Sequence, residues 1–439
     1  NVLAMFALMS DVGIIKLRPG KGQDAACLNW LFLDLNSYFA SVEQQLAPRL
    51  RGKPIIVTPV ESDATCAIAA SYEAKAFGIK TGTRVYEARQ MCPGLICVPA
   101  RHNVYVDFHH RIIDEIEKHL HVNKVSSIDE VACELMGQER QTENAIAIAR
   151  RVQADILKNV GCCLRSSVGL APSVLLAKIA SDMMKPAGLT VLGADRLPEA
   201  ILGLDLIDLA GIGKNVKLRL YQAGIFDIKS FWELTPPAAR RAWGSINGER
   251  FWYALHGIDP PDIVTETQSI SHSHVLGPEL RHAPTAHIVV RKLTARAASR
   301  LRRAGYKAGR VTVWLKTESG EKREATVDMA HTADSFAILA ALELGWARIV
   351  APDEVLAVRQ TGLYLSNLIE TDTIAPDLFG WRPDAAESQK HLKLSEAIDK
   401  LNQRYGRDAV AIGPQPKCMS PYAGAKIAFN RIPERKDFS

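Results

Sequence analysis

Hydrophobic and polar positions follow different periods in different parts of this chain. The run Trp30-Leu31-Phe32-Leu33 is apolar throughout, too short for a helix and suited to a buried strand, and it ends on Asp34. Residues 105–120 place Tyr105, Phe108, Ile112, Ile113, Ile116 and Leu120 on one stripe, which predicts an amphipathic helix. A second stripe, Ile146, Ile148, Ala149, Val152 and Ile156, predicts a helix over 145–157, and a third helix is expected over 173–184. Residues 310–316 alternate strictly: Val311, Val313 and Leu315 face a core, while Arg310, Thr312, Trp314 and Lys316 face outward from a strand. Residues 291–303 predict a basic helix, and 392–405 one more helix near the end.

Glycines and prolines divide these elements into an α+β multidomain chain. Residues 27–37 and 101–190 read as one α/β unit, interrupted by a small insertion over 38–100. Residues 191–262 read as a helical domain. Within it, Leu209-Ala210-Gly211-Ile212-Gly213-Lys214 predicts a helix, a tight glycine turn and a new helix. Such a hairpin aims backbone N–H groups of Gly211 and Gly213 at a phosphate, with Lys214, Lys217 and Arg219 close behind. Pro260-Pro261 opens an exposed linker, 263–271, before a separate α+β domain over 272–370. The tail, 371–439, is rich in proline, glycine and charge.

Composition narrows the class. A chain of 439 residues is too long for one ordinary core. Its 47% hydrophobic and 23% charged residues are those of a globular protein in water. The net charge of +6 says little by itself, but twelve Lys and Arg against two acids fall between 281 and 323. That run predicts a phosphate-binding surface. The eight cysteines have no C-x-x-C or zinc spacing and read as free thiols of a reducing, cytoplasmic compartment. The apolar patch at 2–9 ends at Asp11 with no basic stretch before it, so it reads as a tail and not as a signal peptide or membrane span. The chain begins with Asn1, which leaves the start of translation open.

The candidate chemistry lies at the strand ends. Asp34 closes the first apolar run, and Asp129 and Glu130 are neighbours in Ser126-Ser127-Ile128-Asp129-Glu130. Three carboxylates converging from two strands make an oxygen cage suited to Mg²⁺, which prefers few protein carboxylates plus substrate phosphates. Two such ions can clamp the attacking and leaving oxygens of a phosphoryl transfer.

The flanks of these acids resemble the Y-family translesion DNA polymerases. Residues 33–43, Leu-Asp-Leu-Asn-Ser-Tyr-Phe-Ala-Ser-Val-Glu, are similar to the opening palm motif, and Ser127-Ile128-Asp129-Glu130 to the S-I-D-E motif. Residues 69–79 are similar to the fingers motif, and Val168-Gly169-Leu170 through Gly188 to V-G-x…A-K-x-A-S…K-P-x-G. The resemblance, over 28–370, implies a right-hand fold with palm, small fingers, a helix-hairpin-helix thumb and a little finger that grips DNA. It implies error-prone, template-directed synthesis across damaged template, within the SOS response, by a nucleotidyltransferase with no segment for a proofreading exonuclease. It implies metal ligation by Asp34, the Leu35 carbonyl, Asp129 and Glu130, with two Mg²⁺ for which Mn²⁺ can substitute. Tyr38, Phe39, Tyr72, Lys75 and Lys185 correspond to nucleotide-binding positions, with Phe39 as the gate that excludes a ribose 2′-hydroxyl. Gly211, Gly213, Lys214, Arg310 and Lys316 would hold DNA. Lys75 stands where many relatives have Arg, Ala69 where they have Thr, and Asn36 where many have an acid.

Primer–template DNA and dNTPs are the partners so implied, in a cytoplasmic, nucleoid-associated protein with no membrane contact. Ala375-Pro376-Asp377-Leu378-Phe379 is similar to a peptide that docks on the bacterial sliding clamp, through Asp377, Leu378 and Phe379, although Ala375 replaces the usual Gln. A recombinase or accessory subunits are further partners of the multi-subunit branch, toward which Glu73-Ala74-Lys75-Ala76 leans. The alternative is a catalytically weak or inactive relative serving as a DNA-binding accessory in mutagenic repair, although inactive relatives typically lose a carboxylate that this chain keeps.

Overall fold

The structure is a computed structural model and describes residues 28–63, 65–261, 266–371, 385–406, 408–414 and 432. The segment 1–26 and the clamp-like Asp377, Leu378 and Phe379 lie outside these residues. The chain divides after Pro261 into two compact units.

The first unit opens with β1 (Trp30–Leu35) and α1 (Tyr38–Leu46). A small three-stranded sheet follows, from β2 (Ile55–Thr58), β3 (Ala69–Ala70), α2 (Tyr72–Lys75), α3 (Val85–Met91) and β4 (Ile96–Pro99), in the order β3-β2-β4. The chain returns through α4 (His102–Ile116), β5 (Lys124–Ser127), β6 (Glu130–Glu134), α5 (Thr142–Asp155), β7 (Ser166–Ala171), α6 (Val174–Met183) and β8 (Leu189–Val191). The five-stranded sheet so formed has the order β5-β6-β1-β7-β8, with β1 at its centre. Helices α7 (Lys214–Gln222), α8 (Ile228–Trp232), α9 (Pro236–Trp243) and α10 (Ile246–Leu255) complete the unit.

Period-two alternation on β1 sorts its side chains between two cores. Leu31, Leu33 and Leu35 join Tyr105, Ile112, Ile116, Val152 and Ile156 on one face. Phe32 turns to the other face, where it joins Leu176, Ala177 and Ala180 of α6. That second core continues into Leu209, Ile212, Phe231 and Leu255, so the helical segment after β8 shares its interior with the sheet. Asp34 lies on the face of Phe32, toward α6. The predicted helix over 105–120 ends at Ile116, and the stripe over 145–157 passes into a wide turn, Ile156–Val160.

Gly169 sets how near α6 comes to the sheet. It pairs with Phe32 across β1 and β7, on the α6 face. A Cβ there would lie 1.9 Å from the Ala177 carbonyl oxygen and 2.5 Å from the Ser181 nitrogen. Helix backbone therefore rests directly on strand backbone, which only glycine permits.

The second unit is an antiparallel sheet in the order β11-β10-β12-β9. Its elements are β9 (Ser269–Val275), α11 (Ala283–Arg303), β10 (Tyr306–Thr317), β11 (Lys322–Thr332), α12 (Ser335–Ile349), β12 (Val358–Glu370) and α13 (Ala385–Tyr405). Strand β9 starts at Ser269, within the stretch read as linker, because its alternation of serine with Ile270, His272 and His274 is too polar to announce a strand. Val311, Val313 and Leu315 are buried under α11 and α12, as the alternation requires. Trp314 points to the opposite face yet is 9% exposed, because Tyr364 and Gly362 cover it.

Gly169→Ala should destabilise the first unit by at least about 3 kcal/mol, since the clash is with backbone and cannot be relieved by a rotamer change. Urea unfolding followed by tryptophan fluorescence checks this, and a wild-type midpoint would contradict the packing described.

Candidate active site

The strand register brings the first two acids together. Asp34 pairs directly with Glu130 across β1 and β6, so both side chains leave the same face of the sheet. The Leu35 N–H donates to the Asp129 carbonyl at 2.9 Å, which ties the β5–β6 turn to the end of β1. Asp129 leads that turn, and the Ser127 hydroxyl donates to its carboxylate at 2.5 Å. Burial pushes the Asp129 carboxyl up to about 6, against the Ser127 hydrogen bond, and the Asp34 and Glu130 carboxylates push it further up.

Two ammonium groups from α6 and the turn after it meet these acids. Lys178 Nζ donates to Asp34 Oδ2 at 2.6 Å and to Glu130 Oε1 at 2.7 Å, and lies 5.3 Å above the Phe32 ring. Lys185 Nζ lies 2.8 Å from Asp34 Oδ1 and 2.7 Å from Asp182. Burial alone would lower both lysine pKa values; the surrounding carboxylates, Asp34 foremost, overcome it and hold both raised. Lys178 was not among the residues singled out from the sequence. Its place within Ala-Lys-Ile-Ala was the available signal, but only the close packing at Gly169 explains how a helix lysine reaches the strand acids.

Asn36 has a structural post. Its Nδ2 donates to Ser167 Oγ at 3.0 Å, and its Oδ1 accepts from the Ala187 N–H at 2.8 Å. It thereby holds the turn that carries Lys185. The non-glycine residues Ser37 and Ala187 have φ of 50° and 57°, so left-handed backbone brackets the acids on both sides.

Phe39 lies in the first turn of α1, stacked on Tyr105 at 4.4 Å between centroids. The Tyr105 hydroxyl donates to Glu43 at 2.8 Å, and Glu43 pairs with Arg101. The ring is thus a braced wall. Tyr38 differs from its expected role: its side chain is 2% exposed, and its hydroxyl donates to the Tyr105 carbonyl at 2.7 Å.

Tyr72 and Lys75 occupy the short α2, capped by the Ser71 hydroxyl. Lys75 Nζ lies 4.4 Å from the Tyr72 ring centroid. Burial raises the Tyr72 hydroxyl and lowers the Lys75 ammonium, and the Lys185 charge lowers both.

The DNA-binding candidates fare unequally. Gly211 has φ of 102°, and Gly213 caps the start of α7. Of the cations behind them, Lys217 pairs with Asp205 at 2.8 Å and Arg219 donates to the Trp243 carbonyl, while Lys214 is exposed. In the second unit Arg310 pairs with Asp328 at 2.6 Å, whereas Lys316 makes no ion pair among the described residues. The basic run is largely neutralised internally: Arg281 meets Glu318, Arg291 meets Glu343, Lys292 and Arg296 meet Asp408, Arg302 meets Asp399, and Arg323 meets Glu321 and Glu354. Of these partners, Glu343, Glu354, Asp399 and Asp408 lie beyond the basic run and are invisible to a local charge count.

Residues 33–182 match the impB/mucB/samB family, and 267–378 match that family's C-terminal domain. The chain belongs to the Y family of DNA polymerases. It is 33% identical over 386 residues to "DNA polymerase IV" of Moorella thermoacetica, spanning 87% of this chain and 94% of that protein. It is 28% identical to "DNA polymerase IV 1" of Bacillus subtilis (strain 168), over 87% of this chain and 91% of that one. Among solved structures it resembles the "Y-family DNA polymerase chimera Dbh-Dpo4(243-245)-Dbh" with a TM-score of 0.65 and 25% identity, covering 78% of this chain and 99% of that one. Y-family polymerases are metal-dependent, and the residues present fit a hard divalent cation: Asp34, Asp129 and Glu130 offer oxygen donors, and burial, with the neighbouring carboxylates, already raises Asp129. A second acid-rich group, Glu115, His119 and Asp155, has its donors engaged by Lys118, Asn159 and one another. No described helix is long and apolar enough to cross a membrane.

The Asp129 shift makes a signed prediction. Its ordinary value is 3.8 and its folded value about 6, so ionising it costs stability progressively as pH rises between them, and the full cost remains above. In EDTA, Asp129→Asn should raise the melting temperature at about pH 7.5 and lose that advantage near pH 4. A lower melting temperature at the higher pH would contradict the raised Asp129 carboxyl.

Proposed function

We propose that this chain is a template-directed DNA polymerase that extends primer 3′ ends opposite damaged template, with Asp34, Asp129 and Glu130 as its metal ligands and Mg²⁺ as the metal. The observation that carries this reading is the direct pairing of Asp34 with Glu130 on the α6 face of the sheet, with Lys178 bridging both. Asp34, Asp129, Glu130 and the Leu35 carbonyl would hold divalent cations, which would supply positive charge for displacement of pyrophosphate from the dNTP α-phosphate by the primer 3′-hydroxyl.

The remaining roles fall to side chains. Lys185, Lys75 and the Tyr72 hydroxyl hold the triphosphate, where cations offset the charge developing on the leaving group. Lys75 supplies a point charge in place of an arginine fork, and Ala69 supplies no hydroxyl, which weakens the grip on nucleotide. The Phe39 ring, braced by Tyr105, leaves no room for a 2′-hydroxyl on the sugar. The Gly211–Gly213 turn with Lys214, and Lys316 on β10, grip the DNA backbone. Arg310, paired with Asp328, contributes less. Docking on a sliding clamp through Asp377, Leu378 and Phe379, and work on nucleoid DNA, are part of the same proposal. Retention of all three acids argues against an inactive accessory.

Primer extension on undamaged and abasic templates tests the reading. The wild type should extend both, and Asp34→Ala should reduce incorporation by at least about 10³-fold while the protein stays folded. Retained activity in that variant would overturn the ligand assignment. Phe39→Leu should relax discrimination against ribonucleotides by at least about tenfold; unchanged discrimination would remove the gate. Lys316→Ala should lower the salt slope of DNA binding by about one, and Arg310→Ala should change it less. The reverse order would show that the Arg310–Asp328 pair opens on DNA.

A further inference from the structure

The Asp182 side chain has no part in the chemistry just described, yet it touches both site lysines. It lies in the last turn of α6, four residues after Lys178 and so on the same face of the helix, while Lys185 follows in the turn beyond the helix end. Its carboxylate is 2.7 Å from Lys185 Nζ and 3.3 Å from Lys178 Nζ. An acid in the last turn of a helix opposes the helix dipole, so its local setting is unfavourable without such cations.

The two oxygens of Asp34 are divided between the lysines, Oδ2 with Lys178 and Oδ1 with Lys185. Lys185 therefore has two acceptors, Asp34 and Asp182. A cation binding to Asp34 competes for the first and leaves the second. An ammonium with one remaining acceptor stays where that acceptor holds it, and its charge is still felt at Tyr72 and Lys75.

We propose that Asp182 is a positioning residue for nucleotide binding. It keeps Lys185 at the triphosphate site when the Asp34 carboxylate turns to metal, and it acts through Lys185 and not on the reacting atoms. This rests on the polymerase reading above. The carboxylate is partly exposed, so its effect is that of one charge-assisted contact, not of a catalytic acid.

Single-nucleotide incorporation by the full chain, with Mg²⁺, primer–template and varied complementary dNTP, tests it. Asp182→Asn should raise KM for dNTP about fivefold and leave kcat within about twofold, and Asp182→Glu should restore KM to within about twofold. Because the two residues act as a unit, Lys185→Gln and the Asp182→Asn/Lys185→Gln double variant should have the same KM. An unchanged KM in Asp182→Asn, a loss confined to kcat, additive effects in the double variant, or failure of Asp182→Asn to fold would each overturn the inference. A wild type that incorporates nothing would instead defeat the polymerase reading, so the two failures are distinct.

Discussion

Carboxylates brought together in a half-buried site repel one another, and the palm exists in this form because two lysines offset that repulsion. Asp34 is 5% exposed, and an isolated carboxylate so buried would be protonated or destabilising. Lys178 and Lys185 supply the compensating charge from α6 and the turn beyond it. They reach the strand acids because Gly169 lets helix backbone lie against strand backbone. The site is therefore a consequence of one packing distance. Move α6 outward by the thickness of a methyl group, and the acids lose their cations.

The same dependence explains the surrounding structure. Asn36 spends its amide on Ser167 and Ala187, which fixes the turn that carries Lys185. Ser37 and Ala187 hold left-handed backbone at the two edges of the site, a cost that the hydrogen bonds around them sustain. Phe39 is set by its stack on Tyr105, whose hydroxyl is tied to Glu43 and through it to Arg101. Phe39 and the turn carrying Lys185 are thus oriented by neighbours with no chemical task of their own.

Much of this was legible in the sequence, for local reasons. The apolar run before Asp34 and the stripe beginning at Tyr105 report a buried strand and the helix beneath it, because both obey short periods. The acids could be named from their flanks. What could not be read was anything set by distant partners. Tyr38 looks like a ligand-facing aromatic until its hydroxyl meets the Tyr105 carbonyl. Trp314 alternates outward and is then covered by Tyr364. The basic run over 281–323 promised an open positive face, yet Asp399 and Asp408 return to neutralise part of it. Lys178 stands in the A-K-x-A-S motif, but in sequence a helix lysine gives no sign of the sheet acids it will touch.

The most direct measurement is the anomalous scattering of Mn²⁺ in crystals of the full chain with primer–template and a non-hydrolysable dNTP. The account predicts manganese bound by Asp34, Asp129 and Glu130, with Lys185 still paired to Asp182. Manganese absent from those acids and held instead by Glu115, His119 and Asp155 would contradict it.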